Sequence, residues 1–244
     1  MQGVEVRRSG DRFLTVAPAR PDAAEGWAVT HHSFSFGEHY DPDNVGFRSL
    51  VALNDETVRA GEGYPEHLHR DVEIVTWVLS GALEHADDAY ADEDVVTLVP
   101  GFVQLLSAGA GVRHAEGASA DAPVHFVQTW VRPDEPGGPP RWSSGGVADE
   151  SLASGWALAA SGSDAEALVY LRSRGTSLWV TRLAPGVGRP LPEAPAAYAL
   201  VARGAVEVEG VGRLDEGDAL KITTPAPLAV TAVEPAELLV WTFA

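Results

Sequence analysis

No apolar run in this chain goes far before a glycine or a proline stops it. Twenty-five glycines and 17 prolines punctuate 244 residues, a density that suits many short strands joined by turns and leaves little room for long helices. Val124 to Val131, Leu178 to Leu183 and Leu238 to Phe243 read as strands, rich in β-branched and apolar residues. Thr76 to Leu79, then Ser80-Gly81, then Ala82 to His85 reads as a hairpin with glycine at the turn. One short helix is expected within Ala148 to Leu158. The run Pro133-Asp134-Glu135-Pro136-Gly137-Gly138-Pro139-Pro140 suits neither a helix nor a strand interior. It predicts a linker over 133–146 between an N-terminal domain, 1–132, and a C-terminal domain, 147–244. The halves share a V-x-x-G-x-x-E pattern, Val78 to Glu84 and Val201 to Glu207, as expected of one β-barrel plan used twice.

Composition removes several classes of function. There is no cysteine, which excludes disulfides, thiolate metal sites, iron–sulfur clusters and cysteine nucleophiles. Thirty-five acidic against 17 basic residues give a net charge of −18, which repels phosphate backbones and argues against direct nucleic-acid binding. No apolar run reaches the roughly 18 residues of a membrane span, and the N-terminus carries no secretory pattern. The expectation is a cytoplasmic protein that does not enter the membrane.

The chemistry concentrates in two short segments. In a strand, residues i and i+2 share a face about 6–7 Å apart, so His67 and His69 can point into one barrel. Past the glycines of Ser107 to Gly111, His114 and Glu116 repeat that spacing. Together the pairs offer three imidazoles and a carboxylate, a donor set for one divalent ion. Glu73 shares the face of His67 and His69 if the strand is regular, as an outer carboxylate, a ligand, or the ion-pair partner of Arg70 or Arg113. Arg113 should point away from the ion. His31, His32 and His39 read as structural, His85 as a surface residue, and His125 as a packed residue or a cavity-lining one. Phe34, Phe36, Tyr64, Trp77, Phe126 and Trp130 could wall an aromatic pocket, although aromatics on strands mostly fill cores.

Taken together, His31-His32-Ser33-Phe34-Ser35-Phe36 with Tyr40-Asp41-Pro42, His67-Leu68-His69-Arg70-Asp71-Val72-Glu73-Ile74-Val75-Thr76, Glu84-His85, and Ser107-Ala108-Gly109-x-Gly111-x-x-His114-x-Glu116 resemble the pirin family, densely over about 28–132. The resemblance implies an all-β bicupin: two cupin-type β-barrels with few short helices. It also implies one metal, usually Fe(II), with nickel, cobalt, manganese, copper or zinc as alternatives, on ligands matching His67, His69, His114 and Glu116. Several bacterial pirins are dioxygenases of the flavonol quercetin, in which the residue matching Glu116 would take the substrate's hydroxyl proton and carbon monoxide would leave. Other pirins act through a protein partner, as transcription cofactors or modulators of metabolic enzymes. Leu68 stands where the family usually has proline, Leu106 where methionine is common and Asp88 where serine is common. None of these departures removes a ligand. Aligning Gly204 on Gly81 places Pro190 and Pro192 where His67 and His69 stand, and no histidine follows His125, so the C-terminal barrel is expected to hold no metal.

Overall fold

The computed structural model describes residues 3–18, 26–88 and 95–244. The chain forms two compact units, residues 12–146 with 171–173, and residues 147–170 and 174–244 joined by the N-terminal segment.

In chain order, the first strand is β1 (Val4–Arg7), which belongs to the second unit. The first unit contains β2 (Phe13–Val16), β3 (Ala28–His32), β4 (Leu50–Val58), β5 (Gly63–His69), β6 (Glu73–Ser80) and β7 (Leu83–Asp87). It continues with β8 (Val96–Leu98), β9 (Phe102–Ser107), β10 (Val112–Ala118), β11 (Val124–Val131) and β12 (Arg141–Gly146). These make a seven-stranded sheet, β12-β9-β6-β11-β4-β3-β2, and a four-stranded sheet, β5-β10-β7-β8. The second unit opens on the helix α1 (Asp149–Ser154) and continues with β13 (Ala157–Ser161), β14 (Val169–Tyr170), β15 (Thr176–Leu183), β16 (Gly188–Pro190) and β17 (Ala196–Arg203). It ends with β18 (Ala205–Val208), β19 (Gly212–Asp215), β20 (Ala219–Ile222), β21 (Ala229–Ala232) and β22 (Ala236–Phe243). Its sheets run β1-β20-β17-β22-β15-β13-β14 and β16-β21-β18-β19, the same seven-plus-four plan. Among the described residues no helix is long and apolar enough to cross a membrane.

Three features differ from the sequence reading. The predicted hairpin is not one, because β6 pairs with β9 and β11 while β7 pairs with β10 and β8. Gly81 instead turns the chain from one sheet into the other, with φ 76° and the Pro123 carbonyl where a side chain would begin. Gly204 repeats the device at the equivalent point, with φ 72° and the Pro235 carbonyl in the same place. Second, the linker over 133–146 is irregular only in its first half: Arg141–Gly146 is an edge strand of the first unit, paired to β9 from Arg141↔Ser107 to Gly146↔Phe102. Residues 171–173 also belong to this unit, where the Arg172 carbonyl accepts from the Asp134 amide and its side chain donates to the Pro139 carbonyl. Third, a domain of 1–132 is wrong at its start, since β1 pairs with β20.

The interiors differ in kind. In the second unit Val206, Val208, Leu214, Leu220, Val230 and Leu238 belong to one aliphatic cluster. Among the described residues the first unit shows two separate clusters, one around Val58, Val78, Leu98 and Phe126 and one around Ile74, Leu106 and Val112. Between them lies a polar layer.

Candidate metal centre

That layer follows from register. Strand side chains alternate between faces, so each inward-facing row crosses the large sheet through its paired residues. One row runs His32, Asn54, Gln128, Thr76, Gln104, read from the pairings His32↔Asn54, Gln128↔Asn54, Gln128↔Thr76 and Thr76↔Gln104. The small sheet supplies the opposing groups, where His114 pairs with both His67 and Asp87, and Glu116 pairs with both Tyr64 and His85. The pairing of β10 with β5 shifts register between His114 and Glu116.

His67, His69 and His114 converge, with one donor nitrogen from each within 4.8 Å of the others. The Nδ1 of His67 donates to the Pro65 carbonyl at 2.8 Å, which leaves Nε2 as the free lone pair. His69 Nε2 and both ring nitrogens of His114 are buried without a hydrogen-bond partner. Buried polar atoms are almost always paired, so the unpaired nitrogens of His69 and His114, facing His67, are what a metal ion would satisfy. Burial, together with the neighbouring imidazoles, lowers His69 and His114 to a pKa of about 4, which keeps them neutral and able to ligate near pH 7.

Glu116 lies beside this trio and groups with His85 and His114. Its Oε1 accepts from Gln104 Nε2 at 3.0 Å and its Oε2 from Gln128 Nε2 at 2.8 Å. Each glutamine is held in turn by an indole, since Trp142 Nε1 donates to Gln104 Oε1 and Trp130 Nε1 to Gln128 Oε1, both at 3.0 Å. Burial alone would raise the Glu116 carboxyl, but the His85 and Gln128 hydrogen bonds and the nearby imidazoles outweigh it and hold the pKa near 2. The arrangement is three imidazoles plus an adjoining carboxylate, with His114 common to both groups.

Some of the other residues depart from expectation and some do not. His85 is buried, not at the surface: its Nε2 donates to Asp87 at 2.9 Å and its Nδ1 lies 3.5 Å from Glu116. The signal for it was the alternation from buried Leu83, which puts position 85 on the inner face. Gln104 and Gln128 carried no motif and were missed. Glu73 is buried away from the histidines, bonded to Ser107 Oγ and the Arg172 amide, and pairs with neither Arg70 nor Arg113. Arg113 is half exposed and pairs with Glu66 at 3.1 Å. His125 pairs with Asp55 at 2.6 Å and does not line the cavity.

A cavity of about 650 Å³ opens beside the histidines. Leu14, Val16, Phe36 and Trp130 form apolar wall, while His32, Asn54, Glu56, Tyr64 and Gln128 add polar points. Of the candidate aromatics, Phe36, Tyr64 and Trp130 line it, whereas Phe34, Trp77 and Phe126 are buried in the core. Burial is the main cause that raises Glu56 to a pKa of about 7, with Glu116 and Asp55 adding to the rise against hydrogen bonds from Tyr64 and Asn54.

The comparisons agree with this architecture. The pirin family model matches residues 14–131, and a model described as a quercetinase C-terminal cupin domain matches 158–242. A Mycobacterium tuberculosis protein, by name a provisional quercetin 2,3-dioxygenase, is 42% identical over 98% of this chain and 94% of its own. A pirin-like protein of Caulobacter vibrioides is 35% identical over 89% and 93%. The Escherichia coli quercetin 2,3-dioxygenase is 40% identical over 53% of this chain and 55% of its own. Among solved structures, the nickel(II) complex of the Escherichia coli pirin YhhW superposes with a TM-score of 0.82 at 28% identity, covering 98% of both chains. Two cupin domains, a cluster of three histidines in the first, and relatives along the whole chain lead to one assignment: this chain belongs to the pirin family.

Proposed function

We propose that this chain is a metal-dependent dioxygenase that opens the central ring of a flavonol such as quercetin with dioxygen and releases carbon monoxide. The observation that carries the reading is the set of buried, unpartnered nitrogens on His69 and His114, facing His67 at one end of an aromatic-walled cavity. The family's quercetin-dioxygenase relatives support the substrate class. In this reading His67, His69, His114 and Glu116 hold one divalent ion, Fe(II) in the first instance. When bound, the ion supplies the electron exchange with dioxygen that side chains cannot.

The chain's own residues do the rest. His67 presents Nε2 because Pro65 holds its other nitrogen. Phe36 and Trp130, packed edge to face at 5.2 Å, wall the cavity for a planar ligand. A carboxylate oxygen of Glu116 takes the proton of the flavonol 3-hydroxyl, and the glutamine amides fix where that oxygen stands. The test is iron-loaded protein mixed with quercetin in air. The visible band of quercetin should decay with one carbon monoxide released per flavonol, and a His67→Ala, His69→Ala double variant should lose both metal and turnover. Full metal occupancy without turnover, for iron, nickel, cobalt, manganese and copper alike, overturns the reading.

A further inference from the structure

Glu56 is a buried carboxyl in the wall of the cavity, and nothing in the reaction above uses it. It sits on β4 one inward-facing position beyond Asn54. Asn54 belongs to the row whose Gln128 holds Glu116, so Glu56 lies about 6–7 Å along the strand from that row. The facing residue on the small sheet is Tyr64, whose hydroxyl donates to Glu56 Oε2 at 2.5 Å, with Thr30 Oγ1 at 3.4 Å from the same hydroxyl. The residue is 4% exposed, and the charged groups that act on it are Glu116 and Asp55, both acids. Burying a carboxyl in such company costs stability that an aliphatic residue would not. The interior cluster of the second unit is aliphatic. A carboxylate has about four acceptor sites, and Tyr64 and Asn54 use two of them.

Resting on the flavonol reading, we propose that Glu56, steadied by Tyr64 and Asn54, is the acceptor for a second hydroxyl of the substrate, remote from the one that reacts. The cavity then selects polyhydroxylated aromatic ligands over those that carry the reacting hydroxyl alone. The apolar side, Leu14, Val16 and Phe36, takes the ring faces, and Glu56 reads one point on the rim. A site built to bond a hydroxyl rejects the analogue that lacks it, because the buried acceptor is then left unpaired.

Binding to zinc-loaded protein, which does not turn over, tests this through quenching of the tryptophan fluorescence. Quercetin and 3-hydroxyflavone share the reacting hydroxyl and ketone, and only quercetin carries further hydroxyls. Wild type should bind quercetin about 10–100-fold more tightly, the penalty that 3-hydroxyflavone meets by leaving a buried acceptor unpaired. Glu56→Leu should abolish that preference by weakening quercetin alone. Glu56→Gln should reduce it without abolishing it, since the amide oxygen still accepts, and it serves as the readout should Glu56→Leu fail to fold. Equal weakening of both ligands by Glu56→Leu, or unchanged quercetin affinity in Glu56→Leu or Glu56→Gln, overturns the role of Glu56 and leaves the dioxygenase reading standing. Wild type that binds neither ligand overturns the flavonol reading itself, and the selection by Glu56 with it.

Discussion

At the residue scale, the orientation of Glu116 is fixed from outside the histidine trio. Gln104 and Gln128 each present their NH₂ to one of its oxygens, and neither amide can turn round without leaving an indole N–H unpaired. Glu116→Gln is therefore not the neutral copy that its shape suggests. The new amide has one oxygen and one NH₂, so one glutamine NH₂ must face another. In metal-free protein the substitution should cost about 1–3 kcal/mol, the penalty of an unmet buried donor. Trp142→Phe releases Gln104 to turn, so Glu116→Gln should cost less in that background, and a double-mutant cycle by urea unfolding reads the coupling. Strict additivity would mean that the indoles do not hold the amides. The histidine trio was legible because two i, i+2 pairs declare themselves in sequence. The clamp around Glu116 was not, since glutamine and tryptophan carry no spacing of their own and meet only through strand register.

At the scale of the element, Gly81 and Gly204 carry the same duty, passing the chain from the large sheet to the small one. A β-carbon at either would lie 2.1 or 2.0 Å from a proline carbonyl oxygen, at a positive φ. Gly81→Ala and Gly204→Ala should each cost about 2–3 kcal/mol or more, the strain of a residue forced into that region plus the displacement of the facing strand. Denaturant unfolding measures both, and a loss under 1 kcal/mol at either would mean the turn relaxes freely. Gly81 reads as a hairpin turn in sequence because hairpin and crossover place the same residue at the same point, and only the pairing partners differ. Val124–Val131 was legible to the residue because β-branched and aromatic residues fill most of it. Arg141–Gly146 was illegible because Arg-Trp-Ser-Ser-Gly-Gly has almost no apolar content, and an edge strand asks for little.

At the scale of the molecule, the N-terminal segment serves the C-terminal fold. Val4 and Val6 pack against its aliphatic cluster, β1 pairs with β20 from Val4↔Ile222 to Arg7↔Ala219, and Arg8 meets Asp218 at 2.7 Å. Removing residues 1–11 should destabilise the second unit by about 2–4 kcal/mol, from the two valines and their strand pairing. Hydrogen exchange should quicken in β17 and β20 and stay unchanged in β6 and β11, with metal loading preserved. Unchanged exchange in β20 would show that β1 contributes nothing.

The same crossing of the chain bears on how such a protein can be cut and rejoined. A break at the proline-rich stretch looks natural in sequence, yet it would strand β1 on one piece and deprive the unit that carries the histidine trio of Trp142 and its edge strand. Neither unit is a cassette. Shuffling halves between family members at that point yields hybrids whose two folds each carry a foreign strand, so exchange tolerates only segments that travel with their sheet partners.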